Sequence, residues 1–303
     1  MNLLAKLVRL TRLQFTPVVI APVVVGAAAA WSFEQQFNPL YLLLAVVGSV
    51  LLHLASNTID DVFDYTAGVD KASNEMFPPD FPGWKVIPRG VVTLGNAKLY
   101  SYAMFGVAAL IGLFFTLTVG YWVVVLVAAG VFLGYFYTAP PLRLDFRGKA
   151  LGEASIFLSF GLIPVLGSYY VQTGHLTPLA ALISIPSGIL TTTVLMNHNQ
   201  IFFDPYVKTG KRTLTIILGR ERGLKATMLL TIIAQLTVAA AILTGILPLT
   251  ALLAYLALPL TLRQFRLSMK REKTIPDYAA LTQATFVADI AFCLLLAAGL
   301  FLS

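Results

Sequence analysis

The feature that most constrains this chain is a series of nine apolar runs, at roughly residues 15–31, 38–56, 98–118, 120–138, 152–173, 177–199, 226–246, 248–263 and 280–302. A bilayer crossing takes about 20 consecutive apolar residues, so each run reads as a transmembrane helix. Charged residues are only 12% of the 303, against 58% hydrophobic, too few to cover a water-facing surface, and a soluble globule is excluded. The expected fold is all-α and integral to the membrane, one domain over 1–303 with nine helices.

Nine spans place the segment before the first run, and those after the second, fourth, sixth and eighth, on one side. Those segments contain all 21 Lys and Arg residues. The positive-inside bias then puts the N-terminus and these loops in the cytoplasm and the C-terminus outside, in a multi-pass protein of the cell membrane. The net charge of +7 is thus a topological signal, and no nucleic-acid partner is expected. Lys6, Arg9 and Arg12 fall at helical spacing among Leu3, Leu4, Leu7 and Leu10. Residues 1–13 therefore read as an amphipathic helix on the membrane surface rather than a cleaved signal peptide. Residues 65–97, with Pro78, Pro79, Pro82 and Gly83, read as a cytoplasmic cap loop. The single cysteine, Cys293, offers neither a disulfide nor a cysteine metal site within the chain.

Polar chemistry gathers at the cytoplasmic helix ends. Continuing the second run as a helix aligns His53, Asn57, Asp60 or Asp61, and Asp64 on one face. Carboxylates this close repel one another unless a cation lies between them, and hard oxygen ligands suit Mg²⁺. The plainer reading, a helix end fraying into solvent, does not account for three carboxylates within five residues at a membrane helix end. The sixth run ends in a weak echo of the second: Asn57 to Asp64 has its counterpart in Asn197 to Asp204, with Asn199 and Gln200 between. Pro205 stops that helix near Asp204, and Gly210-Lys211-Arg212-Thr213 follows, a turn able to hold phosphate or simply a basic cytoplasmic loop. The loop after the fourth run carries Tyr137, Arg143 and Arg147, which read either as site residues or as interfacial and topological ones. Glu153 opens the fifth span, and Asp289 sits mid-span in the ninth with no evident partner.

Several segments together resemble the UbiA superfamily of membrane prenyltransferases. They are Asp61 to Asp70, Tyr137-Thr138-Ala139-Pro140-Pro141-Leu142, Leu151 to Gly161, Gly167 to Gly174, and Gly210 to Thr213. The likeness runs from Arg12 to Arg222 and is strongest to the menaquinone branch, whose acceptor is 1,4-dihydroxy-2-naphthoate. It implies nine helices around a lipid-accessible cavity, two acidic motifs holding Mg²⁺ and a polyprenyl diphosphate, and transfer of the prenyl group to an aromatic acceptor. Carried onto this chain, it implies metal ligands at Asp60, Asp61, Asp64 and Asp204, with Asp61 and Asp64 the firmest, and Asp70 at an acidic loop position. Lys85 or Arg89 stands for the loop arginine that meets diphosphate. Asn57, Tyr137, Arg143, Asn199, Lys211 and Arg212 complete the substrate contacts. Two departures stand out: Asp60 replaces the usual Asn, and Phe202 and Tyr206 stand where the second motif has its aspartates.

The mechanism implied has Mg²⁺ drawing charge from an allylic diphosphate while Lys85, Arg89, Lys211 and Arg212 receive the leaving group. Rival readings are a sibling prenyltransferase with 4-hydroxybenzoate, homogentisate or another acceptor, and a secondary transporter of an anionic metabolite. The transporter is expected to carry its charges near the midplane.

Overall fold

The structure is a computed structural model, and it describes residues 3–77 and 85–303; Pro78, Pro79, Pro82 and Gly83 of the cap loop lie outside the described residues. Helix is the only regular secondary structure among the described residues, with no strand. Helix α1 spans Leu3–Thr11, α2 Pro17–Glu34, α3 Pro39–Thr66, α4 Val69–Met76, α5 Leu94–Thr118 and α6 Trp122–Phe136. Helix α7, Leu151–Ile156, runs through a π-helical turn at Phe157–Leu162 into α8, Ile163–Thr173. Then come α9 Pro178–Ile201, α10 Phe203–Thr209, α11 Leu214–Leu218, α12 Arg220–Leu243, a 3₁₀ stretch Leu249–Ala257 leading into α13 Leu258–Met269, and α14 Ile275–Phe301.

Seven helical segments are long and apolar enough to cross a membrane: 13–34, 39–66, 94–118, 151–173, 178–201, 220–243 and 275–301. The other two apolar runs are also helical but differ in form. Helix α6 has 15 residues, and the run at 248–263 is divided between the 3₁₀ stretch and α13. Leucines on the outer faces, among them Leu110, Leu117, Leu236 and Leu256, are more than 60% exposed. Such surfaces are stable against lipid, and the protein is a multi-pass membrane protein.

Helix starts follow local chemistry. Asn38 caps α3 by accepting from the Leu40 and Tyr41 amides at 3.0 and 3.2 Å, with Pro39 at the first helical position. Thr93 caps α5 and Thr177 caps α9 in the same way. At 28 residues α3 is about 42 Å long, more than the ~30 Å hydrocarbon layer. The helix is thus longer than the layer is thick, and the three aspartates lie in its last two turns. Helix α2 packs on α3, α8, α9 and α14, and its alanines Ala27 to Ala30 are fully buried. Where the π turn crosses α9, a Cβ on Gly161 would lie 2.1 Å from the Gly188 Cα, so the two backbones meet at a distance only glycine allows.

Three expectations change here. Helix α1 is not simply laid on the bilayer: Leu10 is fully buried, and Asn57 of α3 donates to the Thr11 carbonyl at 3.1 Å, docking α1 on the end of α3. Glu153, in the first turn of α7, accepts the Leu214 amide at 2.8 Å and so caps the start of α11, joining the two helices. Asp289 has partners after all, accepting from the Thr191 hydroxyl at 3.3 Å and the Cys293 thiol at 3.5 Å, the latter one turn along α14.

Candidate active site

The end of α3 is where charge enters the protein. Asp60 and Asp64 lie four apart on one face, and Asp61 is rotated by about 100° toward α1 and the loop after α4. This rotation divides their partners in part: Arg12 is shared by Asp60 and Asp61, while Lys85 meets Asp61 and Lys211 meets Asp64. Arg12, in a left-handed conformation (φ 55°) just past α1, reaches Asp60 at 3.0 Å and also contacts Asp61. Lys85 meets Asp61 at 2.6 Å and Asp70 at 3.4 Å. Its backbone is held at both polar atoms by the Asn74 side chain, each bond 2.9 Å. Lys211 meets both oxygens of Asp64 at 3.0 and 2.9 Å and Asp145 at 2.5 Å.

Lys211 is nearly fully buried, with Tyr206 and Phe146 rings 4.7 and 5.1 Å away as cation–π partners. Burial opposes charge on Arg12, Lys85 and Lys211, but the surrounding aspartates outweigh it and each is held charged, its pKa raised. Burial pushes the Asp70 and Asp145 carboxyls well above the usual carboxylate range, with Lys85 and Lys211 respectively opposing it.

Carboxylate oxygens of Asp60, Asp64 and Asp145 lie within 4.8 Å of one another. Mg²⁺ at about 2.0–2.1 Å from its ligands places opposite oxygens about 4 Å apart, so a small inward shift suits the group to that ion. One oxygen of Asp60 is buried without a hydrogen-bond partner, which also fits an ion as the missing contact.

A cavity of about 200 Å³ opens from this cluster. Arg12, Asn57, Asp60, Tyr137, Tyr206, Lys211, His198 and Asn199 line its polar end. Leu44, Ala45, Ile111, Phe115, Val123 and Val171 line the opposite end. From Asp60 to Leu44 along α3 is 16 residues, or about 24 Å. The cavity is therefore a long apolar slot between α3, α5, α6 and α8, closed at one end by charge.

Several expected site residues fall elsewhere. Asp61 is engaged by Arg12 and Lys85 and is not among the converging carboxylates. Asp204 is exposed and pairs with Arg220 at 3.0 Å, because α9 breaks at Phe202 and Asp204 begins a new helix facing out. Arg89 is exposed and donates to the Asn74 carbonyl at 3.4 Å. Arg212 is exposed, and Arg143 stacks on Phe146 at 5.5 Å; neither lines the cavity. Asn57 lines it, but its amide nitrogen is engaged by Thr11 and by His53 at 3.0 Å. Sequence reasoning missed Arg12 and Asn74 as site residues. In the sequence Arg12 reads as a charge of the amphipathic segment and of the positive-inside set.

The sequence profile of the UbiA prenyltransferase family matches residues 19–290. The chain is 24% identical to 1,4-dihydroxy-2-naphthoate octaprenyltransferase of Bacillus subtilis, over 97% of this chain and 92% of that one. It is 28% identical to the Escherichia coli enzyme of the same description, over 95% and 92%. Its fold is similar to that of a UbiA homolog from Archaeoglobus fulgidus bound to DMAPP and Mg²⁺, with a TM-score of 0.67 at 17% identity, covering 95% of this chain and 99% of that one.

Proposed function

The chain belongs to the UbiA prenyltransferase family and is a prenyltransferase, and on that premise we propose that it moves a polyprenyl group from its diphosphate to 1,4-dihydroxy-2-naphthoate. The observation that carries this reading is the cavity: Asp60, Arg12 and Lys211 line one end, with Asp61, Asp64, Asp145 and Lys85 joined to them through ion pairs behind the wall, and an apolar slot extends from there to Leu44, about 24 Å from Asp60 along α3. An anionic head with a long hydrocarbon tail matches both parts. Charges at one end of the helices, rather than near the midplane, favour this over a transporter.

In this reading Asp60 and Asp64 hold Mg²⁺, while Arg12, Lys85 and Lys211 turn from their carboxylates toward the diphosphate oxygens. Mg²⁺ there supplies charge neutralisation that makes diphosphate a better leaving group. The apolar walls exclude water from the allylic centre, and the Tyr137, Phe160 and Tyr206 rings lining the slot present faces that stabilise positive charge. The tail lies along α3 toward Ala45. The acceptor ring carbon takes the prenyl group and releases its carboxylate as carbon dioxide.

The same reading places nine helices across the cell membrane as one domain, with the N-terminus and the acidic cluster cytoplasmic. The relatives of that description, at 24–28% identity, support the naphthoate acceptor. Phe202 and Tyr206 at the second motif keep a sibling acceptor as the second reading. The test is incubation of purified protein with radiolabelled prenyl diphosphate, Mg²⁺ and a panel of aromatic acceptors. Label in a prenylated naphthol product supports the proposal, label in another acceptor selects the sibling reading, and no Mg²⁺-dependent product with any acceptor overturns both.

A further inference from the structure

The family pattern has carboxylates at the positions of Phe202 and Tyr206, and here aromatic rings stand there, stacked on each other at 5.8 Å. The helix end at α9–α10 thus offers the cluster no acid. The third carboxylate comes from a different element. Asp145 sits in a 3₁₀ turn, Leu144–Phe146, after the left-handed Arg143 (φ 45°). Its amide donates to the Tyr137 carbonyl at 3.1 Å, fixing the turn to the end of α6. A Cβ on Gly152 would lie 3.0 Å from the Asp145 Cα, so the start of α7 packs directly behind it and presses the turn toward α3.

We propose that Asp145 is the third carboxylate of the divalent-cation site, joining Asp60 and Asp64 from the loop between α6 and α7; this rests on the metal–diphosphate reading above. Asp145 is 1% exposed and its Oδ1 has no hydrogen-bond partner. A structural acid in such a place needs its oxygens satisfied, and an orphaned buried carboxylate oxygen costs stability. The Lys211 ammonium, 2.5 Å from Asp145 and 2.9 Å from Asp64, marks the point at which these two acids share a positive charge. Among the described residues, Asp60, Asp61, Asp64, Asp70 and Asp145 face only Arg12, Lys85 and Lys211. Five carboxyl groups thus share three cationic groups, and carboxylate oxygens outnumber their positive partners. When the diphosphate takes Lys211, the metal takes its place between Asp64 and Asp145.

The competing explanation is that Asp145 only balances Lys211. To separate them, Mn²⁺ binding is measured on purified full-length protein by the free-ion EPR signal, with geranyl S-thiolodiphosphate present as an inert prenyl diphosphate. Asp145→Asn weakens Mn²⁺ by roughly 10- to 100-fold or more, the loss typical even of a ligand's supporting partners. Asp145→Cys loses Mn²⁺ to the same degree but binds Cd²⁺ with a thiolate-to-metal absorption that the wild-type protein lacks, since a soft ligand selects a soft ion. If both variants keep Mn²⁺ affinity within about twofold while Asp64→Asn loses it, Asp145 is only a partner of Lys211 and the proposal is overturned. If Asp64→Asn also keeps its Mn²⁺ affinity, the metal–diphosphate reading itself fails. The cadmium absorption needs no turnover and reads the ligand directly, so reduced stability of the asparagine variant does not leave the question open.

Discussion

The ends of α3 and α9 are spelled alike, Asn57 to Asp64 and Asn197 to Asp204, yet they come to opposite states. In the first, three aspartates turn inward and meet Arg12, Lys85 and Lys211. In the second, the helix breaks at Phe202, the aromatic rings pack inward, and Asp204 pairs with Arg220 at the surface. Asn197 and Gln200, both fully buried, bond instead to Thr285 and to the Arg220 carbonyl. The difference shows that acidic spelling at a helix end does not make an anion site. Acids stay buried there only where cations from elsewhere in the chain reach them, because an unpaired buried charge is far costlier than a solvated one.

That contrast can be broken first at the acids themselves. Asp64→Ala lowers Mg²⁺-dependent prenyl transfer by about 10²-fold or more, whereas Asp204→Ala, on the exposed pair, stays within about twofold of wild type. Initial rates in purified membranes compare the two. Equal losses in both variants would erase the distinction between the helix ends.

The next lever is the cation. Lys211→Met leaves Asp64 and Asp145 without their shared ammonium, and breaking a buried pair on one side costs about 3–5 kcal/mol. A lowered thermal midpoint in detergent reads this out. Restoration by Lys211→Arg is expected to be partial, because the guanidinium is a wider fork than the ammonium.

A smaller effect is expected at Tyr206, whose ring faces Lys211 at 4.7 Å. Tyr206→Leu removes a cation–π contact worth about 0.5–2 kcal/mol. It lowers the thermal midpoint less than Lys211→Met does. The two losses are not additive, since both act on one ammonium.

The smallest is at the rim, where Lys208 and Glu75 pair at 3.0 Å, both more than half exposed. The ammonium hydrogen bond holds the Glu75 carboxyl below its usual range. Glu75→Gln nonetheless leaves the thermal midpoint and prenyl transfer unchanged, because solvent screens an exposed pair. A measurable drop there would mean that the rim, and not only the buried cluster, holds the two helix ends together.

Much of this was legible along the chain. Every apolar run forms helix, since length and hydropathy dictate it, and the carboxylates of α3 followed from a spacing of four. What escaped was whatever depends on contacts between distant segments. Arg12 is 48 residues from Asp60, and Lys211 is 147 residues from Asp64. No local periodicity marks such pairs. Asp145 was visible only as one acid in a loop, because its approach to α3 depends on backbone turns at Arg143, Lys149 and Ala150, all with positive φ, and on the bare backbone of Gly152. The outward turn of Asp204 was missed because Pro205 signals a break without giving its direction. The broken helix at 249–269 has a similar cause: hydropathy measures apolar length, and a 3₁₀ segment is as apolar as an α-helical one.

The central claim is that the end of α3 is the metal and diphosphate end of the cavity. It is tested most directly by a structure of the protein with Mn²⁺ and geranyl S-thiolodiphosphate, using the anomalous signal to place the ion. The account predicts a peak in contact with the Asp60 and Asp64 carboxylates, with the prenyl tail running along α3 toward Ala45. A peak beside Asp204, or a tail that leaves the cavity at its polar end, would contradict it.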